Sequence, residues 1–226
     1  MTPFYYDGKK MNINNIILHE KMRENCFRFL AACFYLPDKK LFKEENLLGN
    51  LSISLQKVCP DAVVFSLEME KNFLQYSNED LTVEYSKLFV GPFELLAPPY
   101  GSVYLEGRRV MGDSTMEVIK VYQKEGLSRS DDFKDLPDHI AVELEFMSYL
   151  IYKGIESLEK SDLNTAQKFK ERQEDFLNAF LRRWVQAFCE KIKNGTENGF
   201  YTALADCVST FVMHSNTEKV ALLPKT

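Results

Sequence analysis

The residues with the clearest chemical potential lie within DLPDHIAVELEFMSYL, residues 135–150. His139 and Glu143 are four positions apart, a spacing that places two side chains on one face of a helix, where they can pair. Asp135 is expected to be the N-cap, and Asp138 should meet the free backbone N–H groups of the first turn and the positive end of the helix dipole. The residue types alone therefore predict a well-capped amphipathic helix with a His–Glu contact on its surface.

The spacing of these residue types does not build a metal or catalytic centre. The His–Glu pair supplies two ligands, whereas a catalytic zinc normally has three protein ligands, and the chain has no HExxH motif. His19 and His214 are isolated, and the adjacent carboxylates Asp131 and Asp132 fall in a polar stretch. No GxSxG motif, P-loop or strand-linked GxGxxG is present. The sequence predicts no catalytic residue, no metal site and no cofactor.

The five cysteines are an odd number and form no CxxC motif or Cys/His cluster. Cys26 and Cys33 lie seven residues apart on a predicted helix, about 10 Å along its axis, which is too far for a disulfide. We expect the cysteines to be reduced, buried thiols that act as small hydrophobic side chains.

The overall composition limits the classes of partner. The 226 residues carry a net charge of −5, with 45% hydrophobic and 27% charged residues. A concentrated basic surface is needed to bind phosphates, so nucleic acid is not expected as a partner, whereas a basic peptide is weakly favoured. No apolar run reaches transmembrane length, and the N-terminal residues lack the pattern of a secretory signal. The sequence predicts a cytoplasmic protein without membrane insertion.

The dominant periodicity of the hydrophobic residues is helical, and strand signals are nearly absent. The only short β-branched run, VCPDAVVF, contains Pro60 and is typical of a helix start. The pattern predicts an all-α fold without a sheet. The apolar stripes comprise Phe27, Leu30 and Phe34; Leu48, Leu51, Leu55 and Val58; Phe65, Met69, Phe73 and Tyr76; Phe169, Phe176, Phe180, Trp184 and Phe188 along one long helix; and Tyr201, Leu204, Val208 and Phe211.

Breaks in the periodicity predict the organisation of a single helical domain over residues 1–226. A disordered leader is expected over about residues 1–12, followed by an N-terminal half to about residue 125. The polar stretch 126–138 is expected to be a hinge, and a C-terminal half should span 139–214. The segment GPFELLAPPYGSVYLEGRRVMGD, ahead of this hinge, holds four of the ten glycines and three of the eight prolines, so it cannot be one helix.

An aromatic cluster lies in and just before this irregular segment. Tyr85, Phe89, Phe93, Tyr100 and Tyr104 fall within twenty residues. Core packing is one interpretation. Aromatic rings beside proline and glycine on irregular backbone are also how peptide-binding grooves are built, because they offer rigid apolar contact at little entropic cost. The residue pattern leaves both interpretations open.

Four segments resemble motifs of the TorD/DmsD/NarJ family of redox-enzyme maturation chaperones. YSKLFVGPFELLAPPYGSVYL at 85–105 resembles the family's YxxLFxGP…PPYxSVYL signature, and PDHIAVELEFM at 137–147 resembles its DHxxxELEFM element. FLRRWVQAF at 180–188 and FYTALADCVSTFV at 200–212 are similar to the C-terminal HLxxWxPxF and FYxxLAxLxxxFL stretches. The order and spacing of all four match. The residues before this region are similar only in helical character.

The resemblance implies a TorD-like helical bundle of about ten helices, as a monomer or a hinge-swapped homodimer. It implies a chaperone that binds the twin-arginine signal peptide or N-terminal region of a molybdoenzyme catalytic subunit, assists cofactor insertion and prevents premature export. Asp138 would pair with an arginine of the client. The peptide-binding residues implied by the motifs are Tyr85, Leu88, Phe89, Phe93, Pro99, Tyr100, Gly112, Asp138 and His139.

Departures from the family pattern leave other functions open. Phe180 stands where many members have His, Gln186 where many have Pro, and Pro137 lies one place later than the usual hinge proline. One alternative is a NarJ-like assembly factor that grips a mature, non-exported molybdoenzyme subunit. Another is an enzyme such as a nucleotide hydrolase. Some family members bind guanine nucleotide weakly, but no P-loop supports that here.

Overall fold

The computed structural model describes residues 4–6, 9–91, 95–107, 110–128 and 135–215, with side chains described from residue 12 onward. Eleven α-helices form the body of the described chain, and the all-α prediction is confirmed. The helices are α1 Ile13–Ala32, α2 Lys39–Glu44, α3 Leu47–Val58, α4 Val63–Gln75, α5 Asn78–Tyr85, α6 Gly101–Leu105, α7 Asp113–Lys124, α8 Ile140–Glu159, α9 Leu163–Ala179, α10 Leu181–Gly195 and α11 Gly199–His214.

A short hairpin precedes the helices and was not predicted. Strands β1, Phe4–Tyr6, and β2, Lys9–Met11, pair antiparallel, with Phe4 opposite Met11. The hairpin lies within the segment expected to be a leader. Beyond it, the described residues contain no strand, so the expected absence of a sheet holds for the helical body.

One hydrophobic core joins the two predicted halves of the chain. Helix α1 packs along α8, α3 packs on α1, and α4 packs on α11. The largest side chains that are completely enclosed include Phe27 and Phe34 from the N-terminal half and Trp184, Phe188 and Tyr201 from the C-terminal half. The two halves therefore bury each other's apolar faces, which is where most helix stability in a protein originates.

The predicted hinge at 126–138 is only partly described, because residues 129–134 lie outside the described residues. On its N-terminal side, α7 ends at Lys124, and Gly126 takes a left-handed conformation with φ of 76°. This is the terminating role that glycine fills at many helix ends, since it carries no Cβ. The division into halves and the hinge remain predictions.

Several helix starts follow from local sequence. The side chain of Asp38 accepts hydrogen bonds at the start of α2, and Asp162 does so for α9. Ser77 and Asp80 form a reciprocal capping box at the start of α5. Pro60 opens a single 3₁₀ turn that leads directly into α4, so the interpretation of this proline as a helix start is confirmed.

The aromatic stripe 169–188 was predicted to follow one long helix, and this is wrong. Phe180, with φ of −125° and ψ of −89°, separates α9 from α10. Its buried ring lies 4.9 Å from that of Phe176. Helix α9 packs on α8, whereas α10 packs on α6 and α11. A straight helix could not reach all of these partners, so tertiary packing overrides the helical pattern.

Burial in α3 gives a direct test of this core. Leu51 is completely buried, whereas Ile53, two residues along the same helix, is 58% exposed. We expect Leu51→Ala to lower the free energy of unfolding by about 2–5 kcal/mol, because it removes buried methyl groups and leaves a cavity. Ile53→Ala should stay within about 0.5 kcal/mol of the parent. Urea denaturation followed by circular dichroism measures both, and equal losses would contradict the described burial.

Candidate functional site

Two of the segments singled out in the sequence meet through their backbones. Tyr100 and His139 face each other across an isolated antiparallel bridge. On one side of the bridge, the amide of Gly101 donates to the carbonyl oxygen of Asp138 at 2.9 Å. On the other side, the amide of Ile140 donates to the carbonyl oxygen of the residue before Tyr100 at 2.8 Å. The start of α6 is thereby joined to the start of α8.

Asp138 connects these two helix starts with its side chain. Its Oδ2 accepts a hydrogen bond from the amide of Ser102 at 2.8 Å, in the first turn of α6. The residue is only 2% exposed, and its Oδ1 has no hydrogen-bond partner. Asp138 thus serves α6 and not the first turn of α8. A buried carboxylate oxygen without a partner is energetically costly, which marks the position as unusual.

His139 is the N-cap of α8, so the expectation that Asp135 fills this role is wrong. The His139 backbone is extended, and its Nδ1 accepts a hydrogen bond from the amide of Ala141 at 3.1 Å. An accepting Nδ1 places the proton of the neutral ring on Nε2. The helix begins four residues later than predicted because the backbone of His139 is held extended by its bridge to Tyr100.

The His139 ring is kept neutral by its surroundings. Burial lowers its pKa from 6.5 to about 4, against the opposing effects of the Asp135 and Asp138 carboxylates. The ring lies parallel to that of Tyr35, with centroids 6.5 Å apart, and edge-on to that of Tyr100 at 5.5 Å. The imidazole therefore forms part of an aromatic cluster between α1 and α6.

Glu143 does not form the predicted surface pair with His139, and that expectation is wrong. Glu143 is 1% exposed, and its Oε2 accepts a hydrogen bond from Trp184 Nε1 at 3.1 Å. Burial, reinforced by the charge of Asp138, raises its pKa well above the ordinary value. Glycine at position 101 leaves room for this contact, because a Cβ there would lie 3.0 Å from Trp184 Nε1, which is a tight approach. The Glu143 side chain thus ties α8 to α10.

Two of the proposed contact residues belong to the core. Leu88 is fully buried and Phe89 is 4% exposed. The Phe89 ring lies 5.9–6.1 Å from the rings of Phe34, Phe188 and Tyr201. In this conformation Leu88 and Phe89 pack beneath the surface, which agrees with the core interpretation of the aromatic cluster for this part of the segment.

Two of the proposed contact residues that reach the surface are tyrosines. Tyr85 and Tyr100 are both partly exposed, whereas Pro99 is buried. The Tyr85 hydroxyl donates to the carbonyl oxygen of Phe34 at 3.2 Å, and burial raises the pKa of this tyrosine to about 12. Phe93 lies outside the described residues. The structure therefore leaves Tyr85 and Tyr100 partly exposed, with Tyr100 beside the buried His139.

Gly112 has a local structural explanation. It precedes α7, whose first two amides, of Asp113 and Ser114, donate to the Glu106 carboxylate at 2.9 and 2.5 Å. A Cβ at Gly112 would lie 2.0 Å from Glu106 Oε2. Glycine at this position therefore lets a distant carboxylate cap the helix, a favourable interaction at a helix N-terminus.

Sequence reasoning missed a contact between Tyr35, which stacks on the His139 ring, and Glu145. The Tyr35 hydroxyl donates to Glu145 Oε1 at 2.9 Å, across 110 residues of sequence. Tyr35 follows α1, in the part of the chain that carries no family motif, and Glu145 was interpreted as structural only. No local signal pairs residues so far apart, so only the tertiary structure reveals this contact.

The fold and the site together describe a helical protein in which aromatic and acidic side chains meet at one surface. The described residues contain no group of His, Cys, Asp or Glu side chains that could hold a metal ion. Within the same part of the chain, no helix combines the length and apolar character needed to cross a bilayer. The surface with the aromatic and acidic side chains surrounds the bridge between Tyr100 and His139.

Comparison of the sequence with known protein families identifies a family that matches this chain. Residues 59–190 match the family model described as nitrate reductase delta subunit. The match covers more than half of the 226 residues. The chain belongs to this family, which is the TorD/NarJ family of maturation chaperones and not a family of enzymes.

Individual relatives carry chaperone names. The chaperone protein TorD of Photobacterium profundum is 30% identical over 133 residues, which are 58% of this chain and 60% of that protein. TorD of Vibrio parahaemolyticus is 30% identical over 152 residues, or 66% of this chain and 69% of the relative. The probable Tat proofreading chaperone DmsD of Haemophilus influenzae is 29% identical over 187 residues, which are 79% of this chain and 82% of the DmsD chain.

A solved structure shares the fold. The crystal structure of a candidate redox enzyme maturation protein from Archaeoglobus fulgidus superposes with a TM-score of 0.52 and 23% sequence identity. The match covers 92% of this chain and 97% of the other. The TorD-like helical fold predicted from the sequence motifs is confirmed.

Two buried groups should give the stability opposite dependences on pH. The folded pKa of His139 is lowered, so its contribution to the free energy of unfolding is present above pH 6.5. It is lost as the pH falls toward about 4, by about 1.4 kcal/mol per pH unit. The folded pKa of Glu143 is raised, so its contribution is present below pH 4.5 and is lost as the pH rises.

Two variants that retain the hydrogen bonds test the pH dependence of each group by itself. His139→Asn can still cap α8, and relative to the parent it should become more stable as the pH falls below 6.5. Glu143→Gln can still accept from Trp184, and relative to the parent it should become more stable as the pH rises. Urea unfolding between pH 4.5 and 7.5 measures both trends. Curves that run parallel to the parent would contradict the buried, neutral state of each group.

Asp138 should contribute to stability through α6. Asp138→Ala leaves the buried amide of Ser102 without an acceptor, which should cost about 1–3 kcal/mol. Asp138→Asn keeps an acceptor oxygen and should lose less. Thermal and urea unfolding of the two variants provide the measurement, and an alanine variant as stable as the parent would rule out this role.

Proposed function

We propose that this protein is a cytoplasmic chaperone for a molybdopterin-containing oxidoreductase. It binds the twin-arginine signal peptide or the N-terminal region of the catalytic subunit. Binding assists cofactor insertion and prevents export before the cofactor is in place. No cofactor of its own is required for this task.

The observation that carries the proposal is the meeting of two family motifs at one surface. The bridge between Tyr100 and His139 joins the 85–105 motif to the 137–147 motif, although nearly forty residues separate the paired positions. Similar proteins are named chaperone protein TorD and probable Tat proofreading chaperone DmsD. Their names support a client that carries a twin-arginine signal.

The chemistry of the surface suits such a peptide. Tyr85 and Tyr100 offer partly exposed rings, which favour contact with an apolar run at little entropic cost. Asp138 has a carboxylate oxygen without a partner, and arginine forms strong charge-assisted hydrogen bonds with carboxylates. Asp138 is 2% exposed, so contact with an arginine requires the residues that cover it to rearrange. The buried ring of Phe89 packs edge-on against Tyr85, with ring centroids 5.2 Å apart.

A second candidate is a NarJ-like assembly factor that grips a mature, non-exported subunit. The description of the matching family model as nitrate reductase delta subunit favours it. The two functions differ in which part of the client is bound. Calorimetry with the signal peptide alone, and with the mature subunit lacking that peptide, distinguishes them, because only one of the two should bind in each case.

Replacement of a surface tyrosine tests the peptide site. We expect Tyr100→Ala to weaken binding of a twin-arginine signal peptide about tenfold, since aromatic side chains at the centre of an interface carry much of the binding energy. The bridge to His139 uses main-chain atoms and is retained in this variant. Isothermal titration calorimetry measures the affinity.

The control is Tyr152→Ala on α8, because Tyr152 is a tyrosine that is 53% exposed and outside the family motifs. This variant should bind as the parent does. Equal affinity for the Tyr100 variant, with an unchanged circular dichroism spectrum, would remove Tyr100 from the binding surface.

A further inference from the structure

We propose that the outer face of α4 pairs antiparallel with the same face of a second copy of this chain, which gives a twofold-symmetric dimer. The face, here called the α4 seam, consists of Val64, Leu67, Lys71 and Leu74. The proposed function assigns no role to these residues, so the dimer goes beyond that function and does not rest on it.

The aliphatic side chains of the α4 seam are exposed, although they are large. Val64 is 54% exposed, Leu67 is 53% exposed and Leu74 is 64% exposed. Single exposed aliphatic side chains are common on protein surfaces and need no explanation. A row of them along one helix is a different case, because contiguous apolar surface marks a site of interaction.

The spacing of the α4 seam is that of a contact between two helices. Its four positions alternate by three and four residues, which is the pattern of the a and d positions in a coiled coil. The residues that α4 contributes to the core of its own chain, Ser66, Met69 and Phe73, form a separate stripe with the same alternation. A surface helix of a monomer needs only one such stripe. The second stripe is therefore available to a helix outside the chain.

Helix α3 widens the apolar surface beside the α4 seam. The Ser52 hydroxyl donates to Ser66 Oγ at 2.9 Å, so the two helices lie side by side at this point. Ile53 and Leu67 are the next residues along the two helices, and both are more than half exposed. Each of the two neighbouring helices therefore presents an aliphatic side chain to solvent close to the point where they meet.

The charged residues of α4 identify the partner as a second copy. Lys71 lies in the middle of the α4 seam, and Glu68 flanks the seam next to Leu67. Both charged side chains are exposed, and neither takes part in an ion pair among the described residues. An apolar partner leaves Lys71 without an acceptor, and a partner of one sign attracts one of the two groups and repels the other. A second copy supplies both signs at the matching places.

The position of Lys71 also fixes the direction of the pair. In a parallel pair, Lys71 of one copy lies opposite Lys71 of the other, and the two repel. In an antiparallel pair, Lys71 of each copy lies opposite Leu67 of the other, within reach of the other copy's Glu68. Val64 of each copy then packs on Leu74 of the other. The antiparallel pair thus contains two equivalent ion pairs and two equivalent aliphatic contacts, as a twofold axis requires.

The length of the α4 seam predicts a weak dimer. From Val64 to Leu74 the helix rises about 15 Å, at roughly 1.5 Å per residue. Such a contact buries less than the roughly 1,600 Å² of total surface that is typical of a stable complex. We expect a dissociation constant of about 10–100 μM, so the chain should be monomeric when dilute and dimeric when concentrated.

Sedimentation velocity of the full chain, at concentrations from about 5 to about 500 μM, tests the dimer. The weight-average mass should rise with concentration from that of one chain toward that of two. Leu67→Glu places a carboxylate in the middle of the α4 seam and should weaken the dimer by about tenfold or more. The matched control is Leu18→Glu on α1, because Leu18 is 58% exposed and the same substitution there should leave the dimer unchanged.

Exchange of the charges tests the pairing itself. Lys71→Glu and Glu68→Lys should each weaken the dimer by about three- to tenfold, because like charges then meet between the two copies. The double variant restores both ion pairs and should dimerise as the parent does. An equimolar mixture of the two single variants should associate more tightly than either variant alone, since one supplies carboxylates and the other ammonium groups at these positions.

Three results would overturn the dimer. The first is a parent chain that stays monomeric up to about 500 μM. The second is self-association that persists in the Leu67→Glu variant, because the contact then lies elsewhere, for example at an exchanged hinge. The third is a monomeric parent whose binding to the mature client subunit is lost in Leu67→Glu, because the α4 seam then binds the client. Circular dichroism shows whether Leu67→Glu is folded, and if it is not, the exchange of charges between the exposed Lys71 and Glu68 decides.

Discussion

The backbone bridge between Tyr100 and His139 is the interaction on which the arrangement of the site depends. It holds an irregular, glycine- and proline-rich segment against the start of α8, and it sets where that helix begins. The bridge also brings Asp138 to the first turn of α6 and leaves one of its carboxylate oxygens without a partner. Buried backbone groups need hydrogen-bond partners, and two motifs distant in sequence supply them for each other.

Beneath the bridge, buried polar groups connect the helices that carry it. Glu143, whose pKa is raised by burial, accepts a hydrogen bond from Trp184, while the ring of His139, whose pKa is lowered by burial, caps α8. Each arrangement depends on protonation, because burial penalises the charged form. The surface above them differs, since Asp135 and Glu145 carry acidic side chains without cationic partners among the described residues.

Much of the fold follows from local signals in the sequence, and each wrong prediction has a physical cause. Periodicity predicted α1 and α11, and Pro60 marked the approach to α4. The break at Phe180 was missed because neither proline nor glycine marks it, and its origin is the choice of packing partners for α9 and α10. The start of α8 was missed because Asp135 is an equally good local cap, and the bridge decides in favour of His139.

By itself the sequence determined the all-helical class, the family and the two motifs that carry the site. These depend on side-chain pattern along the chain, which local physics can interpret. Only the tertiary structure decided that Phe89 is core, that Asp138 serves α6 and that Tyr35 reaches Glu145. Burial and long-range hydrogen bonds depend on which helices pack together, and no local pattern records the approach of residues 110 positions apart.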